Sequence, residues 1–236
     1  DPCRLMLADD VGLGKTIEAG LILSSMFAAN RLRRLLILVP ASLVEQWQQR
    51  MYDMFDIRAQ VYSSRGDTAT SRFWEVSDVV VASLDTLKLD NPGRRDRFLS
   101  AEPWDLVVVD EAHHLNNEEK GGATQGYALI ESMEEHEKLR DLLFFTGTPH
   151  KGKNFSFLSL MRLLAPKEFN PHGVMALQLD RLRNYMIRNN KYNVTDLQGN
   201  RLFLPPVVKA MTYAYSEAEA EFYNKLTSFI ECGMAY

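Results

Sequence analysis

The sequence predicts an α/β fold with a mostly parallel sheet, because short apolar runs alternate with longer segments of helical periodicity. Several apolar runs are continuous and do not alternate with polar residues, which is typical of strands that are buried on both faces. Six strands are predicted in the first 145 residues, at residues 5–8, 35–39, 59–62, 79–83, 106–109 and 142–145.

Two helix starts carry the sequence pattern of a capping box, in which a serine is followed three residues later by a glutamate. Ser42 with Glu45 predicts one helix start, and Ser216 with Glu219 predicts another. Between them, residues 191–206 are rich in turn-forming residues, and residues 207–213 have the composition of a further strand. We therefore expect a main domain over residues 1–215 and the start of a helical extension over residues 216–236.

The composition is that of an ordinary soluble globular protein, with 236 residues, 46% hydrophobic and 25% charged. No apolar run approaches the roughly 18 residues of a membrane span, so no membrane association is expected. The net charge of −4 argues against a dedicated nucleic-acid-binding module, which is normally basic. Cys3 and Cys232 lack metal-ligand spacing, which favours a reduced, cytoplasmic protein.

The stretch "DDVGLGKT", residues 9–16, fits a phosphate-binding loop between a predicted strand and a predicted helix. Gly12 and Gly14 allow a backbone that approaches phosphate closely, Lys15 can reach the β and γ phosphates, and the Thr16 hydroxyl can bind magnesium. Asp9 stands where the usual eight-residue pattern has its first glycine. The alternative is a strand-to-helix turn with no ligand, and the position between strand and helix favours the phosphate loop.

A pair of carboxylates follows the apolar run in "LVVVDEAHHL", residues 106–115. A nucleoside triphosphatase needs one carboxylate for magnesium and a second one to activate water. We assign Asp110 to the metal and Glu111 to the general base. A zinc site at His113 and His114 is disfavoured, because adjacent histidines without nearby cysteines have poor ligand geometry.

A third signal is "LLFFTGTP", residues 142–149, in which an apolar run ends in two threonines around a glycine. Taken alone, this is a strand-ending turn. Beside the other two motifs, Thr146 and Thr148 stand where the end of a strand could sense a terminal phosphate.

Together these segments resemble the superfamily-two helicases. "DDVGLGKT", "LILVPASLVEQW", "VVVASLDTL", "VVVDEAHHL" and "FFTGTP" follow the order of motifs I, Ia, Ib, II and III. "GLGKTIEAG", "SLVEQW" and the tetrad "DEAH" resemble the Swi/Snf group of DNA translocases. "TGTPHKGKNFSFLSLMRLLAPKEF" looks more like the bacterial branch of this group, which is similar to the RNA-polymerase-associated ATPase and to helicase-like subunits of phage-defence systems.

The resemblance implies a three-layer RecA-like P-loop NTPase lobe that uses ATP and Mg²⁺. The residues implied to bind nucleotide are Asp10, Gly12, Leu13, Gly14, Lys15 and Thr16, with Thr16 and Asp110 at the metal. The residues implied to couple hydrolysis to motion are His113, Thr146 and Thr148. The residues implied to contact double-stranded DNA are Pro40, Ala41, Ser42 and Ser83. In the segment "MIRNNK" the family has two arginines before the lysine, whereas here only Arg188 matches, so no role is carried over to it.

Family members carry motifs IV to VI on a second RecA-like lobe, and this sequence contains no such segment. We therefore expect one lobe of a longer, nucleoid-associated bacterial protein that binds nucleotide weakly and hydrolyses it barely. RNA polymerase or defence-system subunits are the implied partners. A DEAH-type helicase or a restriction or phage-defence motor subunit is the alternative, while a small-molecule kinase and a non-catalytic scaffold lobe fit the motif set less well.

Overall fold

The computed structural model of the chain describes residues 2–88, 93–150, 152–204 and 208–233. Contacts divide the chain into two compact units, Asp1–Leu202 and Phe203–Tyr236. The predicted boundary lies between residues 215 and 216, and the division into a lobe and a helical extension stays a prediction. None of the helices within the described ranges combines the length and the apolar character needed to cross a bilayer.

The first unit alternates strands and helices along the chain. Its described strands are β1 (Arg4–Leu7), β2 (Leu35–Val39), β3 (Gln60–Val61), β4 (Val79–Ser83), β5 (Trp104–Val109), β6 (Asn117–Glu118), β7 (Gly122–Ala123), β8 (Leu139–Phe145) and β9 (Met186–Ile187). Its described α-helices are α1 (Lys15–Ala28), α2 (Val44–Phe55), α3 (Phe73–Val76), α4 (Leu84–Leu87), α5 (Arg94–Ser100), α6 (Gln125–Glu135), α7 (Asn154–Leu164) and α8 (Leu179–Leu182). Short 3₁₀ helices cover Ala41–Leu43, Ala112–His114 and Met175–Gln178.

Seven strands form one sheet in the order β3-β4-β2-β5-β8-β1-β9, and every pair of neighbours is parallel. The carboxyl ends of parallel strands meet at one edge of a sheet, which we call the carboxyl edge. At this edge Ala8, Pro40, Asp110 and Thr146 follow β1, β2, β5 and β8. Because β5 and β8 lie between β1 and β2, the residues that follow them lie between the loop after β1 and the segment after β2.

Two hydrophobic cores cover the two faces of the sheet. Along β2, Leu36 and Leu38 belong to the core that contains α6 and α7, whereas Ile37 belongs to the core that contains α1 and α2. Successive side chains of a strand point to opposite faces, so a strand that is apolar at every position can fill both cores. The result is the three-layer α/β/α architecture that was predicted.

The predicted α/β class and the mostly parallel sheet are confirmed. The strands predicted at residues 35–39 and 79–83 coincide with β2 and β4. The strand predicted at residues 5–8 is shifted by one residue from β1, and the one at residues 59–62 exceeds β3 at both ends. The last two predicted strands are too short, because β5 and β8 begin earlier, at Trp104 and Leu139.

The strand predicted over residues 207–213 is wrong for residues 208–213, which form neither strand nor helix, and Val207 lies outside the described residues. Val208, Met211 and Tyr213 are 88%, 93% and 67% exposed. β-Branched and aromatic composition favours a strand only where a sheet provides pairing partners and burial. Residues 208–213 pair with no strand in the described part of the chain.

The two predicted capping boxes have opposite outcomes. At residue 42 the prediction is wrong, because Ser42 lies inside a 3₁₀ helix and α2 begins at Val44 without a side-chain cap. An N-cap residue needs an extended backbone, which the 3₁₀ turn does not give Ser42. At residue 216 it is confirmed: the Glu219 carboxylate accepts hydrogen bonds from the Ser216 backbone N–H and hydroxyl, at 2.9 and 2.8 Å.

The second unit contains the helix that this capping box begins, α9 (Glu217–Gly233). The predicted helix runs to the end of the sequence, and residues 234–236 lie outside the described residues. Within the unit, Phe222, Phe229 and Ile230 are exposed by 61%, 75% and 47%.

Candidate active site

The loop between β1 and α1 has the backbone that phosphate binding requires. Gly12 and Gly14 have φ values of 89° and 96°, a left-handed region that side chains other than glycine rarely adopt. Gly14 is also the N-cap of α1, and no side chain caps this helix start. The first N–H groups of a helix have no intrahelical acceptor, so an uncapped N-terminus after a glycine-rich loop suits an anion.

Lys15 is the first residue of α1, and its ammonium group lies over the loop. Lys15 Nζ donates a hydrogen bond to the Asp9 carbonyl oxygen at 3.1 Å. A Cβ placed on Gly147 would lie 3.7 Å from Lys15 Nζ, so the ammonium is also close to the end of β8. Burial raises the pKa of Asp110, and the positive charge of Lys15 opposes that rise. The predicted phosphate-binding lysine therefore lies beside both other motifs.

Asp9 connects the phosphate loop to β9. Its side chain is buried, and Oδ1 accepts a hydrogen bond from the Asn189 backbone N–H at 2.8 Å. The Asn189 amide Nδ2 lies 3.2 and 3.1 Å from the two Asp9 oxygens. The next carboxylate, Asp10, accepts from the Lys191 backbone N–H at 3.1 Å. The segment after β9 thus holds both carboxylates that precede the glycines.

Sequence reasoning missed this contribution of β9, although Asn189 lies in the segment "MIRNNK", where only Arg188 matches the family pattern. A two-residue edge strand gives almost no periodic signal. Lys191 was also unassigned, yet a Cβ placed on Gly12 would lie 3.6 Å from Lys191 Nζ. A second lysine therefore approaches the glycine-rich part of the loop.

Asp110 follows β5 and is held at both carboxylate oxygens. Oδ2 accepts a hydrogen bond from the Trp47 indole Nε1 at 2.8 Å, and Oδ1 accepts from the Glu111 backbone N–H at 2.8 Å. Burial raises the pKa of Asp110, and these two hydrogen bonds oppose that effect. The residue is 8% exposed, so the carboxylate is shielded but still reaches the surface of the site.

Glu111 has a strained backbone, and its side chain contacts His113. Its φ of 49° places it in the left-handed region, which costs a non-glycine residue about 1 kcal/mol or more. Glu111 Oε2 lies 3.1 Å from His113 Nδ1. The same nitrogen lies 3.1 Å from the hydroxyl oxygen of Thr146, at the end of β8. Motif II and motif III side chains are therefore in direct contact.

The two predicted threonines have different environments. Thr146 is fully buried, and its hydroxyl oxygen also accepts a hydrogen bond from the Thr148 backbone N–H at 3.2 Å. Thr148 itself is exposed. One buried hydroxyl group, that of Thr146, therefore contacts both the Thr148 backbone and the His113 ring. No set of three or more His, Cys, Asp or Glu side chains with metal-binding geometry occurs in the ranges that the structure describes.

The predicted DNA contacts lie further along the same edge. Ala41 and Ser42 are exposed in the 3₁₀ helix after β2, and Pro40 precedes it. Ser83 is only 7% exposed, and its hydroxyl accepts a hydrogen bond from the Thr86 backbone N–H at 3.4 Å as the N-cap of α4. A cavity of about 310 Å³ is lined by Pro40, Leu84, Asp85, Lys88, Asp110, His114, Thr124, Gln125 and Gly126.

Glu18, in the first turn of α1, gives the site a pH-dependent stability. Burial and the negative charge of Asp9 raise the pKa of Glu18 to about 7, against the opposing charge of Lys15. Between about pH 4.5 and pH 7 the unfolded chain loses this proton while the native chain keeps it, so the free energy of unfolding falls as the pH rises. We expect Glu18→Gln to remove this fall, which is about 1 to 2 kcal/mol after allowance for solvent screening.

The measurement is urea denaturation at pH 5 and pH 8, without nucleotide or metal, for the unsubstituted protein and Glu18→Gln. Glu45→Gln, which changes an exposed glutamate at the start of α2, is the matched control. A Glu18→Gln protein with the same pH dependence as the unsubstituted protein would contradict the prediction.

Comparison with known proteins agrees with the motifs. A family model, the SNF2-related domain, matches residues 1–233. The RNA polymerase-associated protein RapA of Yersinia enterocolitica is 32% identical over 232 residues, covering 92% of this chain and 24% of that protein. RapA of Yersinia pseudotuberculosis is 39% identical over 173 residues, covering 72% of this chain and 17% of that protein. The chain thus spans about a quarter or less of these relatives.

Solved structures share the fold. The Sulfolobus solfataricus SWI2/SNF2 ATPase core in complex with dsDNA aligns with a TM-score of 0.60 at 22% identity, over 80% of this chain and 41% of that one. The Pyrococcus furiosus Hef helicase domain aligns with a TM-score of 0.58 at 18% identity, over 80% of this chain and 35% of that one. The RecA-like fold and the resemblance to the bacterial branch of the Swi/Snf group are confirmed. The chain belongs to the SNF2-related domain family.

Proposed function

We propose that the chain is the ATP-binding lobe of a DNA-dependent ATPase, which couples ATP hydrolysis to translocation on duplex DNA or to displacement of bound proteins. The observation that carries the proposal is the meeting of three motifs at the carboxyl edge. Lys15 lies at the start of α1, directly after the loop that follows β1. Asp110 and Glu111 follow β5, and Thr146 follows β8. Ligands of open α/β sheets bind outside the carboxyl ends of the strands, where these groups lie.

The nucleotide phosphates would bind to the loop. The residues proposed for this contact are Asp10, Gly12, Leu13, Gly14, Lys15 and Thr16. The uncapped start of α1 supplies backbone N–H groups, and Lys15 supplies the positive charge. Two positive-φ glycines keep Cβ atoms away from the phosphate path.

A Mg²⁺ ion fits the oxygen donors that the site offers. Thr16 and Asp110 provide a hydroxyl and a carboxylate, which are hard ligands, and Mg²⁺ is commonly held by one or two such groups with phosphate and water. When bound, Mg²⁺ supplies charge neutralisation at the β and γ phosphates. The Asp110 carboxylate is held in one orientation by Trp47 and by the Glu111 N–H.

Glu111 is the proposed general base for the attacking water. Its carboxylate is half-buried and lies next to His113, so the proton that it accepts from water has a neighbouring titratable group. The contact of His113 with Thr146 extends from the base to the end of β8. His113, Thr146 and Thr148 are therefore proposed to transmit the state of the nucleotide to the rest of the protein.

Duplex DNA is the proposed nucleic-acid partner, and it would meet Pro40, Ala41 and Ser42 at the exposed turn after β2. Ser83 is assigned to the same surface through the start of α4, which it caps. This assignment is supported by the family membership and by one structural relative, which is an ATPase core in complex with dsDNA. Contacts to phosphate would make the affinity fall with salt concentration.

We further propose that the active protein pairs this chain with a second RecA-like lobe, and we call that assembly the two-lobed protein. Arginines from a second lobe stabilise the transferring phosphate in related NTPases and contribute about 10³ to 10⁵ in rate. The chain alone should therefore bind nucleotide weakly and turn it over barely. The RapA relatives, which are RNA polymerase-associated proteins, support RNA polymerase as a further partner of the two-lobed protein.

Nucleotide binding tests the proposal directly. We expect Lys15→Ala to weaken ATP binding to this chain by at least about tenfold, because a charged hydrogen bond to phosphate contributes about 1.5 to 3 kcal/mol. Titration calorimetry with Mg²⁺ and a non-hydrolysable ATP analogue measures this loss. Lys120→Ala, which removes an exposed lysine between β6 and β7, is the matched control.

The second half of the test uses the two-lobed protein with and without duplex DNA. The proposal expects ATP turnover that duplex DNA stimulates and that Lys15→Ala abolishes. ATP turnover that does not change on addition of duplex DNA would contradict the proposed DNA dependence. Equal nucleotide affinities of Lys15→Ala and Lys120→Ala would contradict the proposed nucleotide site.

A further inference from the structure

Trp47 connects the helix after the predicted DNA-contacting turn to the predicted metal ligand. The side chain is 2% exposed, and its Nε1–H donates to Asp110 Oδ2 at 2.8 Å. Donor and acceptor are both buried, so the hydrogen bond is shielded from competing water. Hydrogen bonds from a neutral donor to a charged acceptor are among the stronger ones in proteins.

Packing fixes the indole in this position. Trp47 makes an edge contact with the ring of Phe145, with centroids 6.5 Å apart and planes at 64°. Phe145 is the last residue of β8 and directly precedes Thr146. The Trp47 ring therefore lies against the ends of β5 and β8, the two strands that carry the motif II and motif III residues.

Comparison with the other tryptophans shows that burial alone does not explain the contact. Trp74 is also 2% exposed, yet its Nε1–H is buried without a hydrogen-bond partner. Trp104 is 1% exposed and packs under the guanidinium group of Arg34, whose Cζ lies 4.4 Å from the ring centroid. The fold thus tolerates a buried indole with an unpaired N–H, whereas the Trp47 N–H is directed at Asp110.

The hydrogen bond would control how Asp110 presents its carboxylate. The Glu111 N–H holds Oδ1, and Trp47 holds Oδ2, so rotation of the carboxylate breaks at least one contact. Removal of the indole N–H leaves Oδ2 without this donor, so that only the Glu111 N–H then opposes rotation of the carboxylate. Loss of a group that orients a metal ligand typically lowers metal affinity by about 10- to 100-fold.

We propose that Trp47 is a positioning residue, which holds Asp110 in the orientation needed for magnesium-dependent nucleotide binding. The inference rests on the proposed function, since it concerns the same nucleotide site. It adds a residue on α2 that touches neither nucleotide nor metal and acts through Asp110.

The experiment compares Trp47→Phe with Trp74→Phe in the two-lobed protein. Both substitutions replace a buried indole with a phenyl ring, but only Trp47→Phe removes a hydrogen bond to Asp110. For each protein the nucleotide Kd is measured with Mg²⁺ and with EDTA. The ratio of the EDTA value to the Mg²⁺ value is the factor by which the metal tightens nucleotide binding, which we call the metal gain. We expect this gain to fall by about tenfold or more in Trp47→Phe and to stay near the unsubstituted value in Trp74→Phe.

The ratio separates positioning from general destabilisation, because both Kd values come from the same folded protein. An equal ratio in Trp47→Phe and Trp74→Phe would overturn the inference. If Lys15→Ala also left nucleotide binding intact, the proposed function itself would be wrong. If Lys15→Ala abolished binding while Trp47→Phe kept the full metal gain, only the role of Trp47 would be wrong.

A second measurement needs no change at position 47. The chain has three tryptophans, so indole N–H signals in the NMR spectrum of the unsubstituted chain can be assigned by elimination with Trp74→Phe and Trp104→Phe. We expect the Trp47 signal to shift when Mg²⁺ is added to the nucleotide-bound chain and the Trp74 signal to stay. A Trp47 signal that does not respond to Mg²⁺ would overturn the inference even if Trp47→Phe failed to fold.

Discussion

Replacement of Glu111 by glutamine in the two-lobed protein is expected to lower the turnover number for ATP by about 10² to 10⁴-fold, the usual contribution of a general base. Glutamine has nearly the same size and can keep a hydrogen bond to His113 Nδ1, which lies 3.1 Å from the Glu111 carboxylate. It cannot accept a proton from water. The Glu111 N–H to Asp110 contact is a backbone interaction and is retained in the variant.

This pattern distinguishes a base from a binding residue. Because the phosphate loop is unchanged, the nucleotide Kd of Glu111→Gln should stay close to that of the unsubstituted protein, while turnover collapses. Steady-state hydrolysis and titration calorimetry on the same samples measure the two quantities. Glu119→Gln, which alters an exposed glutamate nearby in the chain, should leave both unchanged. A Glu111→Gln enzyme with more than about a tenth of normal turnover would argue against Glu111 as the base.

The parts of this site that the sequence could predict are those in which one local segment carries the whole signal. Continuous apolar runs gave the central strands, since a strand buried on both faces leaves no polar position to obscure it. The polar residue after each run then fell at the carboxyl edge, because parallel strands all end there. This is why Asp9, Asp110 and Thr146, each of which directly follows a predicted strand, lie at one edge of the sheet.

Contacts between distant segments could not be predicted in the same way. Asn189 reaches Asp9 across a separation of 180 residues, through an edge strand of only two residues. The hydrogen bond from Trp47 to Asp110 spans 63 residues. The sequence showed an aspartate in place of the usual first glycine, and the fold shows that this carboxylate binds Asn189 at the far edge of the sheet.

Local patterns also failed where a neighbouring element changed the backbone. Ser42 and Glu45 have the sequence pattern of a capping box. However, Pro40 begins a 3₁₀ turn, in which the Leu43 N–H donates a hydrogen bond to the Pro40 carbonyl at 2.9 Å. The same pattern at position 216 succeeds, since the backbone before α9 allows Ser216 to act as the cap. A capping box therefore predicts a helix start only where the preceding residues leave its serine extended.

A buried ion cluster around Asp67 stabilises α4 and α5, and α4 is the helix that the predicted DNA contact Ser83 caps. The Asp67 side chain is fully buried, with Arg97 Nη2 at 2.8 Å from Oδ1 and Arg94 Nε at 3.6 Å from Oδ2. The Tyr62 hydroxyl donates to Oδ2 at 2.5 Å, and burial together with this hydrogen bond raises the pKa of Tyr62. Arg94 Nη1 also donates to the Thr86 carbonyl at 3.1 Å, which ties α5 to α4.

Asp67→Asn is expected to lower the free energy of unfolding by about 3 kcal/mol, because it leaves two guanidinium groups without their buried counter-charge. Urea denaturation measures the loss. Asp96→Asn, which neutralises an exposed aspartate on α5, should change the free energy of unfolding by less than about 0.5 kcal/mol.

Since Arg94 holds the helix that Ser83 caps, Asp67→Asn should also weaken duplex binding by the two-lobed protein while its nucleotide Kd is maintained. Equal losses in Asp67→Asn and Asp96→Asn would show that the buried cluster does not stabilise this part of the lobe.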